Sequence, residues 1–360
     1  MAVTLPKINI IFKELAQSFI ARSERGIALL IVRDDTEGGN GYATYTDDAG
    51  LAKAPYTAEN KAYIQDALSF GPARVGVAKV GTSNTLNDAL ALITANEKTG
   101  WITVADGSSD DWTALATWIK AQEAEAKSWK AVVYKGKTPD SMHVVNLVNE
   151  TVTFRDERGE KAGSAYTPSL VGLLAACNVI RGATYHLCPN LAKTAVPDNP
   201  DTVVGAGQFV LINDDEDVRV AVDVNSLTTT NGETTTEDMK YIETVEALDL
   251  IRDDITRVFR TEYLGQYRNS LNNQMLFISA VDLYLSQLEK EEVLDPGNDN
   301  KAFIDVVSQR AMWVNNGKPE AATWNDATVR SNPYKRNVYL AGSIKIYGSM
   351  ANLQWIVTLA

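Results

Sequence analysis

The chain predicts a mixed α/β (α+β) fold: a compact multi-domain subunit whose mixed sheets are flanked by helices and whose two ends are extended, strand-like arms. Three observations carry this expectation. Between Gly26 and Val148, short apolar runs alternate with segments of helical spacing, the pattern that builds a parallel or mixed sheet with helices on its faces. Between Tyr241 and Leu288, apolar residues recur every three or four positions, the mark of long amphipathic helices. The last twenty residues alternate apolar and polar positions around a glycine turn, which reads as a strand hairpin.

The elements follow in chain order. Ile8, Ile10, Ile11, Phe12, Phe19 and Ile20 make residues 1–21 an extended arm, interrupted by Arg22–Gly26. Gly26 to Val32 is a buried strand, and Asp34 to Gly41 a polar, glycine-rich loop. Helical spacing over Thr57–Phe70 and Leu86–Asn96 separates strands at Ala73–Val80 and Trp101–Ala105. Asp110 to Ser128 is a helix capped by Ser109 or Asp110, followed by strands at Lys130–Tyr134 and Met142–Val148. Residues 150–240 change character: short strands (Val152–Phe154, Phe209–Ile212, Val218–Val224) alternate with polar turns, and Thr228–Thr236 is a polar loop. Tyr241, Val245, Leu248, Ile251, Ile255 and Val258 then mark one amphipathic helix, and Leu271, Met275, Ile278, Val281, Leu285 and Leu288 a second, ended by Asp295-Pro-Gly. At the end, Val338, Leu340, Ile344 and Ile346 share one strand face, and Leu353, Trp355, Val357 and Leu359 share the next, with Gly348–Asn352 as the turn. A terminal strand carrying Trp355 needs burial, either in its own sheet or by strand addition to a neighbour.

These elements divide the chain into a linking arm over 1–21, an N-terminal α/β domain over 22–90 and a middle α/β and β-rich domain over 91–240. A C-terminal domain over 241–337 and a strand hairpin or linking arm over 338–360 complete it. The length of 360 residues, at 45% hydrophobic and 22% charged, suffices for two or three real cores. No apolar run reaches the length of a membrane span, and the first residues lack the pattern of a secretion signal. Cys177 and Cys188 are the only cysteines; they read as reduced core thiols of a protein made in the cytoplasm. A net charge of −12 argues against nucleic-acid binding, which needs a basic surface. The charge is uneven: residues 301–360 hold seven Lys/Arg against three Asp/Glu, a balance of +4, so the first 300 residues carry −16. This is either chance variation or a basic end that meets an acidic surface.

The motifs that carry chemistry are absent or incomplete. Gly136-Lys-Thr138 lacks the upstream glycine of a phosphate loop, where Ala131 stands instead, and Pro139 follows directly. Gly205-Ala-Gly207 would need a third glycine at Val210. The acidic run Asn213–Asp217 has Val218 and Val224 where a calcium loop needs glycine and glutamate, so it reads as a hairpin turn. His143 and His186 are the only histidines; His186 with Cys188 lacks further metal ligands, and neither HExxH nor GxSxG occurs. No catalytic, cofactor-binding or metal residue is assigned. On the residues alone three classes stay open: an assembly protein, an α/β enzyme (a hydrolase or nucleotide-dependent enzyme anchored on Gly136–Thr138), and a small-molecule or carbohydrate binding protein.

Several segments bear a family likeness. Ile242 to Gly265, a long helix leading into Tyr263-Leu-Gly265, and Ala280 to Leu294, with Tyr284-Leu-x-x-Leu288, resemble the C-terminal domain of tail sheath proteins of contractile phage tails and R-type, diffocin-like bacteriocins. Tyr45–Leu51, Gly71–Val75 and Val222–Leu227 are similar to sheaths of phages of Gram-positive bacteria. The likeness spans most of the chain and is strongest over 240–294 and 338–359. It implies a structural subunit, not an enzyme, without cofactor. Such a subunit polymerises helically with itself around an inner tail tube protein, between baseplate and tail terminator proteins. On contraction it drives the tube through a target envelope, with no direct nucleic-acid contact and no membrane insertion. It would be made in the bacterial cytoplasm and work in a released phage tail or bacteriocin particle. The implied intersubunit arm contacts are Ile8, Ile10, Phe12, Ile344, Ile346, Leu353, Trp355, Val357 and Leu359. Ser23 and Gly26 are the hinge, and Lys335 and Arg336 are candidate contacts to the inner tube.

Overall fold

A computed structural model describes residues 20, 25–177, 179 and 181–357. It divides into a larger unit (Ser23–Ile251 with Ile346–Ala360) and a smaller one (Arg252–Lys345 with Met1–Arg22).

The larger unit is built on strands β1 (Ile27–Arg33), β2 (Gly41–Tyr45), β3 (Arg74–Val80), β4 (Gly100–Val104), β5 (Trp129–Tyr134) and β6 (Val144–Leu147). Among the described residues these form one six-stranded sheet in the order β2-β3-β1-β4-β5-β6. All neighbours are parallel except β2, which runs antiparallel along the β3 edge. Helices α1 (Asp48–Ala52), α2 (Ala58–Ser69), α3 (Leu86–Asn96) and α4 (Ser109–Ala124) connect the strands. Side chains of a strand alternate between faces, and β1 shows the result. Ala28, Leu30 and Val32 enter a core with Ile64 and Ala67 of α2, whereas Ile27, Leu29 and Ile31 enter another with Ile93 of α3 and Leu115 of α4. Both faces are covered, as a parallel sheet requires. The domain boundary expected at 90/91 falls inside this sheet, because β4 pairs with β1. α4 starts one residue early: its cap is Ser108, in a capping box with Asp111.

Helix α5 (Thr167–Ala176) lies in the core, with every residue from Thr167 to Ala175 buried. It packs so closely on α2 that a Cβ at Gly172 would sit 2.3 Å from the Ala67 carbonyl oxygen. The sequence reading places no helix here, since a helix buried all round carries no amphipathic period. Strands β7 (Thr151–Phe154), β8 (Glu160–Ala162) and β9 (Leu191–Thr194) form an antiparallel sheet in the order β8-β7-β9. After α6 (Pro200–Gly205), β10 (Leu211–Asp214) and β11 (Asp217–Val220) form an antiparallel hairpin whose turn is the acidic run. Helix α7 (Ile242–Val258) begins in this unit.

The smaller unit takes over at Arg252, inside α7. α7 ends in a wider π-turn at Phe259–Tyr263. Helix α8 (Leu271–Lys290) follows, with Phe277 packed on Phe259 and Tyr263 at ring-centroid distances of 5.3 and 4.7 Å. Met275, expected on the apolar stripe, is exposed. Strand β12 (Lys301–Ile304), helices α9 (Val306–Asn315) and α10 (Asp326–Ser331), and strand β13 (Leu340–Ser343) complete the unit.

The end of the chain departs from the expected hairpin. β13 pairs antiparallel with β12, not with residues 353–357. Ile344 and Ile346 are half-buried, and residues 347–357 form no strand. An isolated two-stranded hairpin is marginal in water, and β12 offers β13 a partner already seated on α8.

Candidate assembly interface

The C-terminal segment is the least typical surface of the molecule. Leu353 is 88% exposed, Trp355 81%, Ile356 79% and Val357 64%. Scattered exposed apolar residues are ordinary, but four large ones within five positions, interrupted only by Gln354, mark an interaction site. Leu359 lies outside the described residues, as do Ile8, Ile10, Phe12 and Ser23.

A second feature is a strand edge. The backbone N–H of Asp305 donates to the Tyr339 carbonyl at 3.0 Å, which fixes the phase of the β12–β13 ladder. Alternate residues of an antiparallel strand turn their backbone groups outward. On β12 the outward N–H of Ala302 is taken by Asp282 of α8 at 2.7 Å. On β13 the outward positions are Leu340 and Gly342, and among the described residues this sheet has only its two strands. One side of the ladder is therefore capped by a side chain, and the other presents backbone groups in strand geometry.

Lys335 and Arg336 are both exposed, next to buried Tyr334. The Lys335 ammonium lies 5.1 Å from the Tyr334 ring centroid, and among the described residues neither cation has a carboxylate partner. Lys318 stands close by in sequence between two indoles, 5.1 Å from Trp313 and 4.8 Å from Trp324. Gly26 adopts φ +85°, a conformation that favours glycine. Its carbonyl accepts the Ala73 N–H at 2.8 Å, so it forms the fixed entry to β1.

The weak chemical motifs are used structurally. The Gly136 N–H donates to Asn146 Oδ1 at 2.8 Å and its carbonyl accepts from the same amide at 3.0 Å, leaving no phosphate cradle. His186 Nδ1 lies 2.9 Å from the Leu187 carbonyl oxygen. Cys188 is buried, and burial pushes its thiol up to about 12. No group of potential metal ligands occurs among the described residues.

Sequence reasoning missed a buried ionic cluster that fastens α7 to the sheet. His143, fully buried just before β6, faces Glu123 of α4 with Nδ1 at 3.0 Å and Asp249 of α7 with Nε2 at 3.1 Å. With carboxylate oxygens on both ring nitrogens, the imidazolium is the form that satisfies both. Burial alone would lower its pKa, but Asp249 and Glu123 outweigh that and raise it. Lys130 of β5 reaches Asp249 at 2.9 Å and Glu246 at 3.2 Å, and the Trp101 indole N–H donates to Glu246 at 2.9 Å. The signal was present: Lys130 sits inside an apolar strand and Asp249 beside Leu248 and Leu250. Charges at such positions are rarely buried unless paired.

Residues 234–339 match the family described as phage tail sheath C-terminal domain. The chain is 30% identical over 317 residues to the tail sheath protein of Clostridium phage phiCD119, an alignment covering 85% of this chain and 86% of that one. In fold it is similar to the sheath tail protein of Desulfitobacterium hafniense, with a TM-score of 0.66 at 15% identity over 83% of this chain and 94% of the other. It is also similar to the helical sheath of the anti-feeding prophage in its contracted state, with a TM-score of 0.68 at 12% identity over 100% and 99% of the two chains. With 30% identity across most of both sequences, the chain belongs to the tail sheath proteins and is a structural sheath subunit, not an enzyme.

Proposed function

We propose that the chain polymerises with itself into a helical sleeve around an inner tail tube. On triggering, the sleeve contracts and drives the tube through a target cell envelope. The observation that carries this reading is the consecutive exposed run from Leu353 to Val357. Strand addition would bury it: backbone hydrogen bonds supply affinity and alternate side chains fill pockets. The outward edge of β13 in a neighbouring copy is the acceptor we assign. A head-to-tail contact of this kind that does not close generates a filament, not a ring. Ile8, Ile10 and Phe12 act as a second arm, and Ile344, Ile346, Leu353, Trp355, Val357 and Leu359 as the first. Negative-stain microscopy of the purified chain tests this: hollow sleeves are expected from the full chain and none after deletion of residues 350–360. Sleeves from the deleted chain would overturn the reading.

The segment Arg22–Gly26, with Ser23 and Gly26, is assigned as the tether between the N-terminal arm and the body. Lengthening it by two or three residues is expected to allow an extended sheath but to uncouple contraction, because one subunit's displacement no longer pulls the next. Normal contraction of that variant, seen by electron microscopy after triggering, would remove the tether from the mechanism.

Lys335 and Arg336 are assigned to the inner tube. Attraction between exposed charges is screened within about 10 Å at ordinary ionic strength, which suits a contact that templates assembly and then releases. Reversing both charges is expected to weaken co-assembly with the tube protein most at low salt. Unchanged co-sedimentation across a salt series would exclude them. Baseplate and tail terminator proteins bound the sleeve at its ends. Synthesis falls in the bacterial cytoplasm and the work is done in the released particle, an assignment that immunogold labelling of producing cells and free particles checks.

A further inference from the structure

We propose that Glu243, the second residue of α7, clasps the root of the C-terminal arm and sets the direction in which the arm leaves its own subunit. This rests on the reading of residues 350–357 as an intersubunit arm. Both carboxylate oxygens of Glu243 are taken by one residue. The Ser349 N–H donates to Oε1 at 2.8 Å, and the Ser349 hydroxyl donates to Oε2. Ser349 lies in the exposed stretch that begins at Tyr347 and stands immediately before the fully exposed Met350.

The clasp is itself seated in the larger unit. A Cβ at Gly182 would lie 2.5 Å from Glu243 Oε2 and 3.2 Å from the Ser349 hydroxyl, so a residue without a side chain backs the contact. The Glu243 N–H donates to Asp223 Oδ2 at 3.4 Å, and the Ile242 N–H donates to the Asp223 carbonyl at 2.8 Å. Two of the N–H groups that a helix start leaves unpaired are thereby met. Asp223 is 2% exposed and accepts the Thr184 hydroxyl at 2.6 Å. Beyond the clasp, Met350, Ala351 and Asn352 border a cavity of about 930 Å³ together with Tyr185, Leu227 and Tyr241.

A strand that must dock on a neighbour loses conformational freedom when it does so. Holding its root in one direction removes part of that loss beforehand and raises its effective concentration at the acceptor. A bidentate contact to a carboxylate is among the stronger hydrogen-bonded arrangements, so its loss is expected to show in assembly and not in the fold.

The test uses the soluble full-length chain with Ser349→Ala, Ser349→Thr, Glu243→Gln and Gly182→Ala, and the 350–360 deletion as reference. Ser349→Ala, Glu243→Gln and Gly182→Ala are expected to raise the critical concentration for polymerisation by about tenfold, the size of one charge-assisted hydrogen bond. Ser349→Thr, which keeps both donors, is expected to restore it. Ser349→Ala should leave the urea midpoint of the monomer unchanged, which separates positioning from stability even if Glu243→Gln perturbs α7. Wild-type critical concentrations in Ser349→Ala and Glu243→Gln, with the deletion inactive, would overturn the clasp alone. A deletion that still polymerises would overturn the arm reading beneath it.

Discussion

Trp355→Ala is expected to abolish sleeve formation while leaving the melting temperature of the soluble chain unchanged. Truncating a fully buried tryptophan typically costs about 3–5 kcal/mol, but Trp355 is 81% exposed in the single chain. Its indole has nothing to lose in its own fold and a large area to bury on a neighbour. Val357→Pro gives a second, independent view. It removes one backbone donor with little loss of apolar area, and in a segment that forms no strand in the monomer that donor matters only in an intersubunit ladder. Thermal melts and negative-stain counts on the same preparations check both. A large fall in melting temperature with sleeves still present would sink the exchange of this arm.

The second large effect concerns the fold. Asp249→Ala leaves Lys130 and the His143 imidazolium buried with one carboxylate fewer, and breaking a buried pair by removing one partner costs about 3–5 kcal/mol. Lys130 and Asp249 are 4% and 2% exposed, so solvent does little to relieve the loss. The cluster also gives the stability a direction in pH. His143 has its pKa raised above the ordinary 6.5 by the two carboxylates it faces, against the effect of burial. A raised folded pKa means that its contribution is fully present below about pH 6.5 and is lost as pH rises through the folded value. Urea midpoints of the wild type are therefore expected to fall on the alkaline side, and His143→Gln is expected to flatten that slope. A wild-type slope that persists in His143→Gln would assign the pH dependence to another group.

What the sequence disclosed, and what it withheld, follows from how local each signal is. Ile27–Val32, Val75–Val80 and Ala131–Val133 were legible because strands buried on both faces read as apolar runs. α7 and α8 were legible because each hides one face only. β2 escaped because an antiparallel edge strand of Gly-Tyr-Ala-Thr-Tyr carries neither an apolar run nor a clean alternation. α5 escaped for the opposite reason, being buried on every side. The end of the chain shows a different limit. Its apolar alternation was visible, but the choice of partner is a long-range matter, and β12, with only Lys-Ala-Phe-Ile, gave no sign that it would take β13. The Glu243 and His143 contacts join residues 106 positions apart in each case. No spacing rule within one element reaches that far.

The strand order has a consequence for how the protein is made. β1 emerges first of the six strands yet occupies an interior place, between β3 and β4. Its run Ile-Ala-Leu-Leu-Ile-Val has high strand propensity and no charge, the composition of an aggregation-prone segment. It stays without either neighbour until residues 74–80 and then 100–104 have been synthesised. Pairings of such sequence separation form slowly. Arg25 on one side and Arg33, Asp34 and Asp35 on the other bracket the run with charge, as gatekeepers do. Nascent chains therefore pass through a vulnerable interval, and a cell producing many copies at once has to shield it. Yield in the soluble fraction should depend on translation speed and on holdase chaperones well before any arm meets its partner.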